Sequence, residues 1–319
     1  MELGRDVRLV FRTVARTPGL ALLVVLTLGL AVGANAAIFS LIDRVALRPL
    51  PVEKPDELVL VNAPGLPRWG HTFSVGGRKV SGMDYPLAEA LGAGVPNLFS
   101  AMGVYRRWLF TLSIEPAAVE IFGDYVNADY FRVYSLRPVI GRTFTSAEDR
   151  QEGTAPVVVL NHALWKQQFG GDRSILGRTI RLNKVAVTVI GVLGPGYSGT
   201  DPARPVQVFL PLGAIDQITP FRVSGELFPW NSPALRLCMV VARLRAGIDR
   251  ERAQQAVRAR YQVLLDDAIA KGARLTPKDR EYYATRKPEL IPAGTVGSTQ
   301  SQATRTLEVP LRLLLGMTA

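Results

Sequence analysis

The sequence predicts an α+β extracytoplasmic domain, built from mixed β-sheets with a few amphipathic helices in two subdomains, on an N-terminal transmembrane helix. Three observations lead there. Gly19 to Ile42 is a run of 24 residues without a charge. The body alternates short β-type runs with turn residues, in the manner of hairpins. One long amphipathic helix is capped by Asp249 and stopped by Gly272, and its single apolar stripe calls for a sheet to pack on.

At about 1.5 Å per residue, the uncharged run reaches roughly 36 Å as a helix, enough to cross a hydrocarbon core of about 30 Å. Before it, Arg5, Arg8, Arg12 and Arg16 recur every three or four residues and share one helical face. That face suits anionic lipid head groups, and a solvated helix face is the plainer reading. Pro18-Gly19 separates this surface helix from the span. Ala34-Asn35-Ala36 resembles a signal-peptide cleavage site, but apolarity resumes through Ile38, Phe39, Leu41 and Ile42, which favours a retained anchor. Four arginines precede the span, while Arg44, Arg48 and Lys54 follow it. The N-terminus is therefore expected in the cytoplasm, since a large domain translocates regardless of its charge. Within the span Gly29, Gly33 and Ala37 recur every four residues and let another helix approach closely. Asn35 adds an interhelical hydrogen bond.

After Arg48-Pro49-Leu50-Pro51, Leu58–Val61 is a strand. Asp84 caps a short helix through Ala90, closed by Gly92 and Gly94. Strands are expected at Ala101–Tyr105, Leu109–Ile114, Val119–Val126 and Pro156–Leu160. Asn161 caps the helix HALWKQQF, which Gly170-Gly171 ends. Arg178–Asn183 and Val185–Leu193 form a hairpin that turns near Lys184. Val206–Leu210 and Leu235–Leu244 are further strands. In the long helix Ala253, Val257, Tyr261, Leu264, Leu265 and Ala268 make the stripe. Pro288–Thr306 reads as a connector. The last apolar run, from Val309, contains Arg312 and is too short to span a bilayer. It reads as the cut start of a second transmembrane helix. The expected organisation is a cytoplasmic amphipathic surface helix (1–18), transmembrane helix 1 and stalk (19–47), a periplasmic core domain (48–305) and that truncated helix (306–319).

Chemistry is hard to find in this chain. The net charge of +11 comes from arginines scattered along it, without the basic block that nucleic acid would need. Cys238 is the only cysteine, so no disulfide framework exists, and its apolar setting reads as buried. Gly194-Pro195-Gly196-Tyr197-Ser198-Gly199 matches a dinucleotide fingerprint, but the helix that should follow is replaced by another strand. No phosphate-binding P-loop occurs. His71 and His162 are too few for a zinc site without cysteine support. The pairs Glu148-Asp149 and Asp266-Asp267 diverge on a helix or strand, so paired acid–base work is not implied. Tyr125, Tyr130, Phe131, Trp165 and Phe169 read as core. No catalytic, cofactor-binding or metal-binding residue is expected, and the chain reads as a non-enzyme.

Several stretches carry a resemblance. Asn35-Ala36-Ala37-Ile38-Phe39-Ser40-Leu41, continuing to Leu47-Arg48-Pro49-Leu50-Pro51, resembles the first transmembrane helix of MacB/FtsX-like ABC transporter permeases. Ala128-Asp129-Tyr130-Phe131 with Gly141-Arg142-Thr143-Phe144 is similar to the periplasmic core domain of that family. So are Val157–Leu160 with Leu164-Trp165, Phe169–Asp172 with Ile175–Arg178, Val189–Val192 leading to Gly196-Tyr197, Val206–Leu212 and Ala242–Leu244. The resemblance is closest to macrolide-exporter-like orphan permeases. It implies a four-helix permease with a large domain between helices one and two. A second permease copy and an ABC ATPase subunit would be partners, the ATPase rather than this chain binding ATP. A periplasmic adaptor or outer-membrane channel is a further implied partner, and the implied location is the bacterial inner membrane. The expected function is the N-terminal part of the permease subunit of an ABC-type efflux or mechanotransmission system. The alternative is a membrane-anchored extracytoplasmic binding or regulatory module acting on an envelope protein. An anchored enzyme has least support.

Overall fold

A computed structural model describes residues 18–42, 49–64, 72–75, 78–81, 83–114, 117–150, 156–201, 204–223, 226–228, 231, 238–271, 277–285 and 287–294. The chain divides into two compact units, Met1–Arg48 and Pro49–Ala319.

In the first unit, helix α1 (Pro18–Ile42) is 25 residues long. Proline suits its first position, where the missing N–H would have no partner. Leu22, Leu23, Leu26, Leu28, Leu30 and Val32 are all exposed. The longest unbroken run of described side chains in α1 is 25–36, and among the described residues no helix is long and apolar enough to cross a membrane.

In the second unit the described strands are β1 (Leu58–Asn62), β2 (Thr72–Val75), β3 (Arg78–Ser81), β4 (Phe99–Ile114), β5 (Ala117–Val126), β6 (Pro138–Gly141), β7 (Val157–Leu160), β8 (Thr179–Leu182), β9 (Val185–Leu193), β10 (Val206–Pro211), β11 (Phe221–Val223), β12 (Glu226–Phe228), β13 (Met239–Leu244) and β14 (Glu289–Pro292). The helices are α2 (Tyr85–Gly94), α3 (Asp129–Val133), α4 (Ser146–Arg150), α5 (His162–Phe169), α6 (Ile215–Ile218), α7 (Arg250–Ala270) and α8 (Pro277–Thr285). One ten-stranded sheet has the order β14-β1-β13-β4-β5-β10-β7-β9-β6, and β8 pairs with both β4 and β9. Strands β4, β5, β10, β7, β9 and β8 therefore close on themselves, which removes edges from the middle of the sheet. β5–β10 and β7–β9 are parallel, while the other pairs of this sheet are antiparallel. The hairpins β2–β3 and β11–β12 stand as separate two-stranded sheets.

At β1 and β7 both faces of the large sheet are buried, which explains why these strands read as unbroken apolar runs. Val59 and Val61 enter one apolar cluster with Phe110, Leu160 and Val208. Leu58 and Leu60 enter the other with Tyr105, Tyr130 and Phe209. The two subdomains expected from sequence are thus corrected to two cores on the faces of one sheet.

The capping residues behave as their chemistry requires. The Asp84 carboxylate accepts from Leu87 N–H, Asn161 from Leu164 N–H and Asp249 from Arg252 N–H. Gly170 ends α5 at φ 63°, and the hairpin turn is carried by Asn183 at 49° and Lys184 at 70°. Helix α7 buries Ala253, Val257, Tyr261 and Leu265. Two expectations need correction. The runs Ala101–Tyr105 and Leu109–Ile114 are one 16-residue strand, β4, because the charges between them are accommodated inside it. The connector assigned from Pro288 contains β14, whose Leu290 is buried and pairs with Val61. Of the strand expected over Leu235–Leu244, β13 supplies Met239–Leu244, and positions 235–237 lie outside the described residues.

Candidate functional site

Gly29, Gly33 and Asn35 lie on α1 with Ala37, whose side chain is outside the described residues. A β-carbon at Gly29 or Gly33 would meet nothing within 4 Å, and Asn35 is exposed. Arg5, Arg8, Arg12 and Arg16, and also His71, lie outside the described residues. The glycine-rich stretch after β9 is a turn, with Gly196 at φ 101° and Gly199 at φ 89°, and it leads into β10. Its Tyr197 is buried and shares a 2.8 Å hydroxyl contact with Tyr130. The His162 ring packs edge-on to Trp165. Among the described residues no group of three or more His, Cys, Asp or Glu is placed to hold a metal ion.

The most organised polar arrangement sits where the chain enters and leaves the sheet. Leu50 N–H donates to Gly294 O at 2.8 Å, and Ala293 N–H donates to Leu58 O at 2.9 Å. The next residues pair antiparallel, Val59 with Pro292 and Asn62 with Glu289. The incoming and outgoing segments therefore flank the same end of one two-stranded ladder. A methyl group at Gly294 would overlap the Pro55 carbonyl, so glycine lets the two segments touch.

Arg243, buried in β13, anchors this root. Its Nε donates to Val133 O at 2.9 Å, and its terminal nitrogens reach Lys54 O at 3.1 Å, Glu53 O at 2.7 Å and the Glu57 carboxylate at 3.1 Å. The planar guanidinium can serve all four acceptors at once, which an ammonium cannot do. Lys54 lies in the left-handed region at φ 44°, leading into the Pro55–Glu57 turn. A non-glycine residue there costs on the order of 1 kcal/mol, which the guanidinium contacts offset. Sequence reading noted Arg243 only within a pattern. The signal that could have found it was an arginine in the otherwise apolar run CMVVARL.

A second buried pair lies further along the sheet. Arg107 Nε and a terminal nitrogen hold both oxygens of Asp124 at 2.9 and 3.2 Å, and Asp201 stands 4.0 Å away. Arg106, on the opposite face of β4, sits 4.8 Å from the Trp108 ring centroid. Burial pulls its pKa down. Burial also pushes the Tyr130, Tyr134 and Tyr197 phenols well above their ordinary value, so they remain protonated. Cys238 is buried beside Met83, and burial pushes its thiol up to about 12. Its reaction with a thiol reagent should be about 100-fold slower in the folded chain than in urea. Equal rates in a stopped-flow assay would contradict the burial.

Two cavities adjoin α3, and the second reaches the root at Glu53. One of about 450 Å³ lies between α2 and β4, with Tyr85, Glu89, Met102, Asn127 and Asp129 in its walls. Another, of about 600 Å³, is lined by Glu53, Phe131, Arg132, Arg137 and Phe144.

Residues 21–260 match the family model described as MacB-like periplasmic core domain. The chain is similar to the macrolide export ATP-binding/permease protein MacB of Salmonella paratyphi A, 25% identical over 209 residues, covering 61% of this chain and 30% of the relative. It is also similar to MacB of Escherichia coli K12, 28% identical over 130 residues, covering 41% and 18%. The match thus spans about a third or less of these relatives' length. Among solved structures, the extracellular domain of the noncanonic ABC-type transporter YknZ from Gram-positive bacteria aligns with a TM-score of 0.46 and 14% identity, over 73% of this chain and 99% of that one. The periplasmic region of MacB from Actinobacillus actinomycetemcomitans aligns at 0.47 and 15%, over 67% and 86%.

Proposed function

The chain belongs to the MacB-like periplasmic core domain family, and on that premise we propose that it is the N-terminal part of the permease subunit of an ABC-type efflux or mechanotransmission system. In this reading α1 crosses the bacterial inner membrane from a cytoplasmic N-terminus, since a 25-residue helix reaches about 37 Å. The domain then lies outside the cytoplasm and works without catalysis or a cofactor of its own. A separate ATPase supplies the energy, and a second permease copy and an envelope partner complete the assembly.

The observation that carries this reading is the root. Its incoming and outgoing segments are hydrogen-bonded side by side at one end of the β1–β14 ladder. A domain held at two adjacent points is suited to insertion between two membrane helices, and it can respond to movement between them. A domain tethered at one point would have no need of this arrangement.

The test is copurification. The affinity-tagged full-length gene product, extracted in detergent from its native cells, should bring down a P-loop ATPase and a second copy of itself. Recovery of the chain without detergent, or extraction with no ATPase after mild crosslinking, would reject the reading.

A further inference from the structure

Neither root segment lines the 450 Å³ cavity, but hydrogen-bonded connections lead from each of them to elements that do. From the incoming side, Arg243 joins Glu53, Lys54 and Glu57 to the carbonyl of Val133 at the end of α3. The Arg243 backbone is also tied to the cavity wall, since its carbonyl accepts from Ser100 Oγ and its strand pairs with β4. Ser100, Met102 and Asp129 line this side.

From the outgoing side the connection runs through α7. Leu290 N–H donates to Gln254 Oε1 at 3.1 Å, and Arg258 Nε donates to Pro288 O at 2.9 Å. Two residues further along the same helix, Arg260 Nε donates to Ala90 O of α2 at 3.2 Å. The Arg260 stem also fills the space above Gly94, where a β-carbon would strike it. Helix α2 supplies Tyr85, Glu89 and Gly92 to the other wall.

The root is built to part in one direction. Among the described residues β14 is an edge strand paired only with β1, whereas β1 is also paired with β13. Because both outer segments sit at the Leu58–Pro292 end, pulling them apart breaks the ladder bonds one after another rather than all together. Arg243 keeps the incoming side on the sheet, so β14 is the strand that yields.

We propose that the cavity between α2 and β4 is a mechanically gated site: separation of the two root segments peels β14 from β1, and β14 draws α2 away from α3 through Gln254, Arg258 and Arg260. The use of this linkage in the cell rests on the mechanotransmission reading, while the linkage itself is a property of the folded domain. Packed elements with two arrangements, both biased from a distant point, are the physical basis for such coupling.

The root offers its own wedge. Gly294→Ala places a methyl group against the Pro55 carbonyl and forces the segments apart. The experiment uses the full chain in detergent, with spin labels at exposed positions on α2 and α3 introduced by Ala93→Cys and Arg132→Cys, and with Cys238 left buried. Hydrogen exchange at Leu50 and Ala293 reports whether the root has opened. The wedge should remove protection at both amides and lengthen the mean distance between labels by about 2 Å, the scale of a helix shift. Adding Gln254→Ala and Arg258→Ala should return the distance to its starting value while the amides stay unprotected. An open root with an unchanged distance overturns the proposal, as does a lengthening that survives the added substitutions. If Gly294→Ala fails to accumulate, Leu290→Ala weakens β14 from within and carries the same readouts. No ATPase is present in this measurement, so its failure is distinguishable from an empty ATPase copurification.

Discussion

Replacing Asp124 by alanine should lower the stability of the domain by about 3–5 kcal/mol, the cost of leaving a buried charge without its partner. The Asp124 side chain is fully buried and that of Arg107 is 8% exposed. Burial by itself would pull the Arg107 pKa below its ordinary value, but the charge and hydrogen bonds of Asp124 reverse this and hold it above. Without Asp124 that support is lost, but an arginine is so strongly basic that the guanidinium stays charged and is left buried without its main partner. Asp201, 4.0 Å from Arg107, and the Arg204 carbonyl, 3.3 Å from it, give partial relief and favour the lower end of the range. A loss of that size is a large part of the 5–15 kcal/mol that holds a typical domain together, so the variant should also accumulate poorly.

The double replacement Arg107→Met with Asp124→Leu separates two accounts of this site. If the pair is structural, apolar side chains of similar volume should recover most of the loss, leaving a deficit within about 1 kcal/mol. The measurement is urea unfolding of the chain in detergent, followed by tryptophan fluorescence. A single-variant loss below about 1 kcal/mol would mean that water reaches the pair and screens it.

Elements whose determinants are adjacent in the chain were readable from sequence. Asn161 and Gly170 bound α5 because a side-chain acceptor and a left-handed glycine act within one turn. Asn183 and Lys184 turn the β8–β9 hairpin for a similarly local reason. Strand β4 was split in the sequence reading because Arg106 and Arg107 look like a surface break. Asp124, which neutralises Arg107, meets it only after β4 and β5 pair. Strand β14 was missed because its four residues adjoin a polar stretch, and only the register with β1 defines them. The root was illegible for the same reason on a larger scale. Arg243 lies 189 residues from Lys54 and 110 from Val133, and no local pattern encodes that meeting.

That distance also makes Arg243 the more informative residue to alter. Arg243→Ala removes the guanidinium donors that hold Glu53, Lys54 and Glu57 to the sheet, and it leaves the Val133 carbonyl at the end of α3 without its guanidinium partner. Charge-assisted hydrogen bonds contribute about 1.5–3 kcal/mol each, but the freed acceptors of Glu53, Lys54 and Glu57 lie near the surface and can take up water, which leaves the buried Val133 as the main loss. A net loss of about 3 kcal/mol follows, and it should fall on the root more than on the closed part of the sheet. Amide exchange over Leu50–Leu58 should therefore rise roughly 100-fold, since each tenfold corresponds to about 1.4 kcal/mol. Exchange in β5, β7 and β10, which lie beyond β4 from Arg243 in the sheet, should change far less. Arg243→Lys restores the charge without the planar set of donors and should recover only part of the protection. Uniform acceleration across both regions would show that Arg243 supports the whole fold. Full recovery with lysine would show that charge alone, rather than simultaneous grip on the incoming segment and α3, is what the root requires.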